Sequence, residues 1–328
     1  MDIEFAGSLS GKKREKWETL LAGTGLTPDP GVTTTVLIWD DSQLIAAGSR
    51  QENILKCIAV DPFRQGEGLT ATLLTHLRQD ALSQGYRHLF LYTKPQNKEM
   101  FSSLFFHPIA QTKQVLLMES VSGGIGQFLA ELERPCHEGT VGAAVMHCNP
   151  FTKGHRFLIE TAAKECDHLY VFVLSEDRGL FPAQDRLELV KAGTADLSNV
   201  TVCPTGPYLI SSLTFPTYFL KDKASAEDVH CQLDIEIFLR HFVPHFGITR
   251  RYLGTEPYCP VTGRYNELLQ EQLPERGVEL RLLPRLEADG TTISASAVRQ
   301  LLGTGHPELL RSLLPDTTFD YLQTHHMI

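Results

Sequence analysis

The chain has 328 residues, 42% of them hydrophobic and 21% charged, with a formal net charge of −9. At about 100 to 200 residues per domain, that length points to two domains, and the ordinary globular composition excludes a long disordered arm. The acidic balance excludes a broad footprint for nucleic acid, so a phosphate ligand must be met by a local basic cluster.

Seven cysteines, Cys57, Cys136, Cys148, Cys166, Cys203, Cys231 and Cys259, are odd in number and hold no CxxC pair. This argues against a disulfide framework or a zinc site and for reduced, cytoplasmic thiols. No run of about 18 apolar residues occurs, nor a basic segment leading into an apolar one at the N-terminus, so neither membrane spanning nor secretion is expected.

The first predicted helix runs from Lys12 to Ala22, capped by Ser10, with Trp17, Leu20 and Leu21 on one side. Thr34 to Trp39 and Leu44 to Gly48 flank Asp40, Asp41 and Ser42 as a hairpin, and Ile54 to Val60 gives a third strand. A Gly-containing turn, a helix from Leu69 to Ser83 and a strand from His88 to Thr93 follow, so this part reads as α+β. Ser122-Gly123-Gly124, Pro135 and Gly139 mark a junction. We therefore expect a first domain over 1–120, a linker over 121–139 and a second domain over 140–328. In the second, apolar runs at Val141 to Met146, Leu169 to Leu174, Val200 to Cys203, Arg251 to Leu253 and Leu280 to Leu283 alternate with helical stretches, the pattern of a parallel α/β sheet. The stretch from Leu233 to Phe246 reads as a core-packing helix.

The strand Val141 to Met146 runs into His147-Cys148-Asn149-Pro150-Phe151-Thr152-Lys153-Gly154-His155, and a helix is expected to begin at about Arg156 to Phe157. A loop leaving the carboxyl end of a parallel strand offers backbone N–H groups and a helix N-terminus to an anion, and Gly154 lets it come close. His155 adds a donor for charge building on phosphate oxygens. Asn149, Pro150, Phe151 and Lys153 belong to the same expected ATP-binding loop. Farther on, Ile293-Ser294-Ala295-Ser296-Ala297-Val298-Arg299 opens another helix; its hydroxyls and guanidinium suit a triphosphate tail, while serines there also cap helices. Gly254-Thr255-Glu256 follows a strand directly and is expected to line an adenine or acyl pocket. Arg186 and Lys221 are candidate phosphate or substrate contacts, with a solvated surface as their other reading.

Strand, TKGH loop and ISASAVR segment together resemble the HxGH nucleotidyltransferase superfamily, with Thr152 in place of the first His. The resemblance implies a doubly wound parallel sheet over about 140 to 310, ATP with Mg2+, Thr152 and His155 at the α-phosphate, Ser294, Ser296 and Arg299 at the β- and γ-phosphates, and catalytic roles for Thr152, His155 and Arg299. TFPTYFLK, GTEPYCPVTGRYN and the attached first domain narrow this to a resemblance to the citrate lyase ligase family. That resemblance implies activation of acetate as acetyl-AMP with release of diphosphate, then acetyl transfer to the thiol of the phosphoribosyl-dephospho-CoA group on the acyl carrier subunit of citrate lyase. Two other readings stay open: an adenylyltransferase joining ATP to a mononucleotide, and a sensor of CoA or nucleotide without turnover.

Asp61-Pro62-Phe63-Arg64-Gln65-Gly66-Glu67-Gly68 sets a Gly-rich turn between strand and helix, where amides can cradle a pyrophosphate. The segment resembles the CoA loop of the GNAT N-acetyltransferase fold, which makes Gln65, Gly66 and Gly68 candidates for a CoA-like arm. Phe101 stands where that family carries a tyrosine general acid, and a ring without a hydroxyl donates no proton. The first domain is thus expected to hold such an arm, or to dock protein, without acetylating amines.

Overall fold

The computed structural model describes residues 1–177, 179–210, 215–220, 226–255, 260–288, 291–303 and 306–328, with backbone alone at 260, 261, 288 and 291. It divides into two compact units, Met1–Ile125 with Thr214–Glu236, and Gly126–Leu213 with Ile237–Ile328. The sequence reading ran the second domain unbroken from 140; in the structure Thr214–Glu236 groups with the first unit instead.

The first unit begins with β1 (Asp2–Ala6), α1 (Gly11–Gly23), β2 (Thr34–Asp40), β3 (Gln43–Gln51) and β4 (Ile54–Val60). It continues through α2 (Leu69–Ser83), β5 (Phe90–Thr93), α3 (Lys98–Ser103), β6 (His107–Gln111) and β7 (Leu116–Glu119). Their sheet has the order β1-β2-β3-β4-β5-β7-β6, and β4 with β5 is its parallel pair. The expected hairpin is β2–β3, turning at Asp41 with φ 52°. Helix α2 buries Leu69, Leu73, Leu74, Leu77 and Ala81, positions four, one, three and four apart, against the sheet. Trp17, Leu20 and Leu21 of α1 are buried as its spacing predicts; Ser10 sits at the N-cap, although its side chain accepts no cap hydrogen bond.

The chain passes through α4 (Gly124–Glu131) into the second unit: β8 (Val141–Met146), α5 (Lys153–Lys164), β9 (His168–Val173), α6 (Ala183–Gly193) and β10 (Val200–Pro204). After α7 (Ala226–Ile237), a five-residue π turn over Phe238–Phe242 and α8 (Val243–Phe246) come β11 (Arg250–Gly254), α9 (Pro260–Glu275) and β12 (Glu279–Leu283). The short strands β13 (Glu287–Ala288) and β14 (Thr291–Thr292) precede α10 (Ala295–Leu301), α11 (Pro307–Leu313) and α12 (Asp316–Thr324). The helix expected from Leu233 to Phe246 is interrupted because Pro244 lacks an N–H and its ring collides with the carbonyl four residues back; the widened π turn relieves both.

The five long strands form a wholly parallel sheet of order β10-β9-β8-β11-β12. The order runs outward in both directions from β8, so the sheet is doubly wound, with its switch point between β8 and β11. Strand β9 is buried at every residue, as a central parallel strand must be, and this is why it reads as a continuous apolar run. Among the described residues no helix is long and apolar enough to cross a membrane.

Candidate functional site

The loop after β8 leaves the sheet at the switch point, where open α/β sheets bind ligands. Thr152 is the N-cap of α5 in extended conformation, and its Oγ1 accepts from the His155 backbone N–H at 3.4 Å. In return, the Thr152 backbone N–H donates to His155 Nδ1 at 3.1 Å, and the Thr152 hydroxyl lies 2.9 Å from the same nitrogen. This is a capping box in which histidine takes the place usually held by Glu or Gln. With Nδ1 accepting, the hydrogen-bond network assigns the ring proton to Nε2. Burial, with Arg285 and His147 acting in the same sense, pushes the His155 pKa down to about 4. His155 is therefore a neutral donor through Nε2–H, held in register by its own helix cap.

Gly154 has a role the sequence did not suggest. A Cβ there would stand 3.1 Å from the Ile293 carbonyl oxygen and 3.6 Å from Thr152 Oγ1. Its bare Cα thus admits the segment that opens α10. From α10, Arg299 returns the contact: Nη1 donates to the Asn149 carbonyl at 2.5 Å and Nη2 to Ser296 Oγ at 3.0 Å. Ser294 caps α10, its Oγ accepting from the Ala297 N–H at 3.1 Å. The two motifs, more than 130 residues apart, are joined side by side.

Other residues expected at the site are engaged within the protein. The Asn149 side chain is buried and accepts from the Phe181 N–H at 3.2 Å. Pro150 and Phe151 are buried, the Phe151 ring lying stacked 6.1 Å from that of His155. Lys153 donates to the Arg311 carbonyl at 2.8 Å. Gly254 ends β11, and its carbonyl accepts from Asn266 at 3.2 Å, while the Thr255 carbonyl accepts from Arg285 Nε at 2.7 Å. Glu256 and Lys221 lie outside the described residues.

Arg186 is not solvated, and its guanidinium donates to backbone carbonyls. It is fully buried, and its Nε donates to the Phe181 carbonyl at 3.1 Å, Nη1 to that of His147 at 2.7 Å and Nη2 to that of Glu176. Three donors in a planar fork bind the loops after β8 and β9 together. The sequence reading also passed over His147, the first residue beyond β8. Its Nε2 lies 3.8 Å from the Glu176 carboxylate, and burial with the charges of Arg186 and Arg299 lowers its pKa, Glu176 opposing. Its place at the carboxyl end of a central strand was the signal available. No group of three His, Cys, Asp or Glu side chains able to hold a metal is found among the described residues.

In the first unit, a cavity of about 810 Å³ is lined by Gln65, Gly66 and Gly68 and by Phe101. Gly66 and Gly68 have φ of 89° and 75°, which the turn into α2 requires. Neighbouring Arg64 is engaged by Asp40 and Glu67, each at 2.7 Å.

Fold and site together define a protein with a GNAT-like α+β unit and a doubly wound unit of nucleotidyltransferase type. Residues 141–322 match the citrate lyase ligase C-terminal domain, and residues 12–101 match the acetyltransferase (GNAT) family. The chain is 38% identical over 316 residues to the [citrate [pro-3S]-lyase] ligase of Klebsiella pneumoniae, covering 94% of this chain and 92% of that one. It is 37% identical over 319 residues to the enzyme of the same name from Escherichia coli (strain K12), covering 95% and 91%. A phosphopantetheine adenylyltransferase from Clostridium botulinum is 40% identical over 79 residues, 24% of this chain and 44% of that one. The chain belongs to the citrate lyase ligase family, and it is a ligase.

Proposed function

We propose that this ligase activates citrate lyase by acetylating its acyl carrier subunit at the expense of ATP. A carboxylate oxygen of acetate attacks the α-phosphorus, the bond to the β-phosphate oxygen breaks, and diphosphate leaves, giving acetyl-AMP. The thiolate of the carrier's phosphoribosyl-dephospho-CoA group then attacks the acyl carbon, and AMP leaves. The observation that carries the reading is the neutral His155 Nε2–H, fixed by Thr152 at the switch point of the sheet and joined through Arg299 to the second motif. Acetate is a weak nucleophile, so in-line positioning and stabilisation of charge at phosphorus supply the catalysis. In this reading Thr152, His155 and Arg299 act on the phosphates, with Gly154, Ser294, Ser296, Gly254 and Thr255 around the nucleotide.

Magnesium enters with the triphosphate, since Mg2+ ordinarily binds through substrate phosphates and one or two carboxylates. The CoA-like arm of the carrier is assigned to the cavity at Gln65, Gly66 and Gly68, where the N-terminal amides of α2 meet its phosphates. Free cysteines support a reducing, cytoplasmic setting.

The test is ATP–diphosphate exchange with Mg2+, with and without acetate. Exchange that requires acetate, and that falls by about 10²-fold or more in His155→Ala, is the expected result. Exchange that requires a mononucleotide or phosphopantetheine in place of acetate would instead establish the nucleotide-joining reaction, and none with any substrate would leave a sensor.

A further inference from the structure

The cavity of the first unit lies where two parallel strands part. Among the described residues β4 pairs with β5 only at Ile54–Phe90 and Leu55–Leu91, so farther along β4 the edge facing the cavity meets no strand. Ile58, Ala59 and Val60 line the cavity from that edge, and Leu91 and Thr93 line it from β5. The phosphate-binding turn follows the far end of β4, beyond Val60. The apex, where β4 leaves β5, falls between the last paired residue Leu55 and the first lining residue Ile58, at Cys57, whose thiol lies 3.7 Å from the Thr27 carbonyl. Three residues of strand, about 10 Å, separate the two. An arm with its phosphates at the turn and its amides along β4 therefore brings its sulfur toward the apex.

That apex is occupied on the β5 side by the chain itself. Tyr218 and Phe219 line the cavity and are buried. The Tyr218 hydroxyl donates to the Tyr92 carbonyl of β5 at 2.5 Å. The Thr27 backbone N–H donates to the Tyr218 carbonyl at 2.8 Å, and the Thr27 hydroxyl lies 3.3 Å from the same oxygen. Phe215 packs edge-on against Tyr92 at 5.7 Å and against Phe219 at 6.2 Å. These contacts fasten the segment at both its backbone and its rings. In sequence it is inserted between β10 and β11 of the other unit, so nothing about the first unit's own connectivity requires it there.

We infer that Tyr218 and Phe219 close the acyl-acceptor side of this cavity, restricting it to an arm that ends in a free thiol or a small acyl thioester. The inference rests on the reading that a CoA-like arm enters here. A bulky group on the sulfur, or an amine approaching it from the β5 side, meets these two rings. Phe101, without a hydroxyl, fits the same outcome, since its ring offers no proton to a departing thiolate.

Calorimetric titration of the full-length protein, with a saturating non-hydrolysable ATP analogue filling the nucleotide site, tests this with CoA, acetyl-CoA and S-benzyl-CoA. CoA and acetyl-CoA bind alike, and S-benzyl-CoA binds at least about tenfold more weakly. The double substitution Tyr218→Ala, Phe219→Ala restores S-benzyl-CoA to the affinity of CoA, whereas Tyr218→Phe, which loses only the hydroxyl, keeps most of the discrimination. Wild-type protein that binds S-benzyl-CoA as tightly as CoA overturns the inference alone, even if the double variant does not fold. Wild-type protein that binds no CoA overturns the arm reading and the inference with it.

Discussion

Replacing Arg186 by Met separates a structural clamp from a ligand contact. Methionine matches the length of the buried stem but removes all three donors, leaving the carbonyls of His147, Glu176 and Phe181 without them. A hydrogen bond to a charged group contributes about 1.5–3 kcal/mol, and the three together are offset by the cost of burying the guanidinium, so the net loss is about 3–5 kcal/mol. For a unit of this size about 2–4 °C accompanies each kcal/mol, which puts the melting of the second unit some 6–20 °C lower. Arg186→Lys, whose ammonium cannot reproduce the planar fork, falls between. Melting followed by near-ultraviolet circular dichroism measures the loss, and ATP–diphosphate exchange on the folded fraction measures KM for ATP. An unchanged melting temperature with KM raised tenfold would refute the clamp and return Arg186 to the phosphates.

His155 gives a pH signature. Above about pH 6.5 its ring is neutral folded and unfolded. Below that the unfolded chain takes up a proton that the folded one, with a pKa of about 4, does not. Stability therefore falls between about pH 6.5 and 4, by up to about 3 kcal/mol. His155→Gln should lose correspondingly less between pH 7 and 4.5 in urea unfolding, and equal losses in the two proteins would contradict the neutral ring. Gly154→Ala gains up to about 1 kcal/mol of helix propensity but sets a methyl 3.1 Å from the Ile293 carbonyl, a backbone atom unable to swing aside. Overall stability should change by less than about 1 kcal/mol while exchange falls about tenfold, through displacement of α10; unimpaired exchange would show that the two motifs need not be in contact.

How much of this was legible in the sequence follows from where each constraint originates. Strands β8 and β9 were readable because a parallel strand covered on both faces must be apolar along its length. The helix after the TKGH loop was readable from about Arg156, whereas its start at Lys153 depends on the Thr152–His155 capping box, which the motif was not read as containing. Arg186 was not: a charged residue on a helix reads as solvated, and the carbonyls that hold it belong to loops brought there by the sheet. The grouping of Thr214–Glu236 with the first unit escaped for a similar reason, since apolar residues such as Phe215 and Phe219 have the same signature whichever core receives them.

The pairing of the two motifs follows from topology together with two small features of sequence. In a doubly wound sheet the loop after the first strand sits at the centre, and the chain must return from the edge strand β12 before α10 can reach it. Two contacts secure that return, and they run in opposite directions. The missing side chain of Gly154 lets the Ile293 backbone approach α5, and the long side chain of Arg299 reaches from α10 to the Asn149 carbonyl. Neither substitutes for the other, because the first sets how close the segments come and the second sets how the guanidinium is turned. In the proposed reading, a histidine whose proton sits on Nε2 because Thr152 occupies Nδ1 makes the helix cap part of the site.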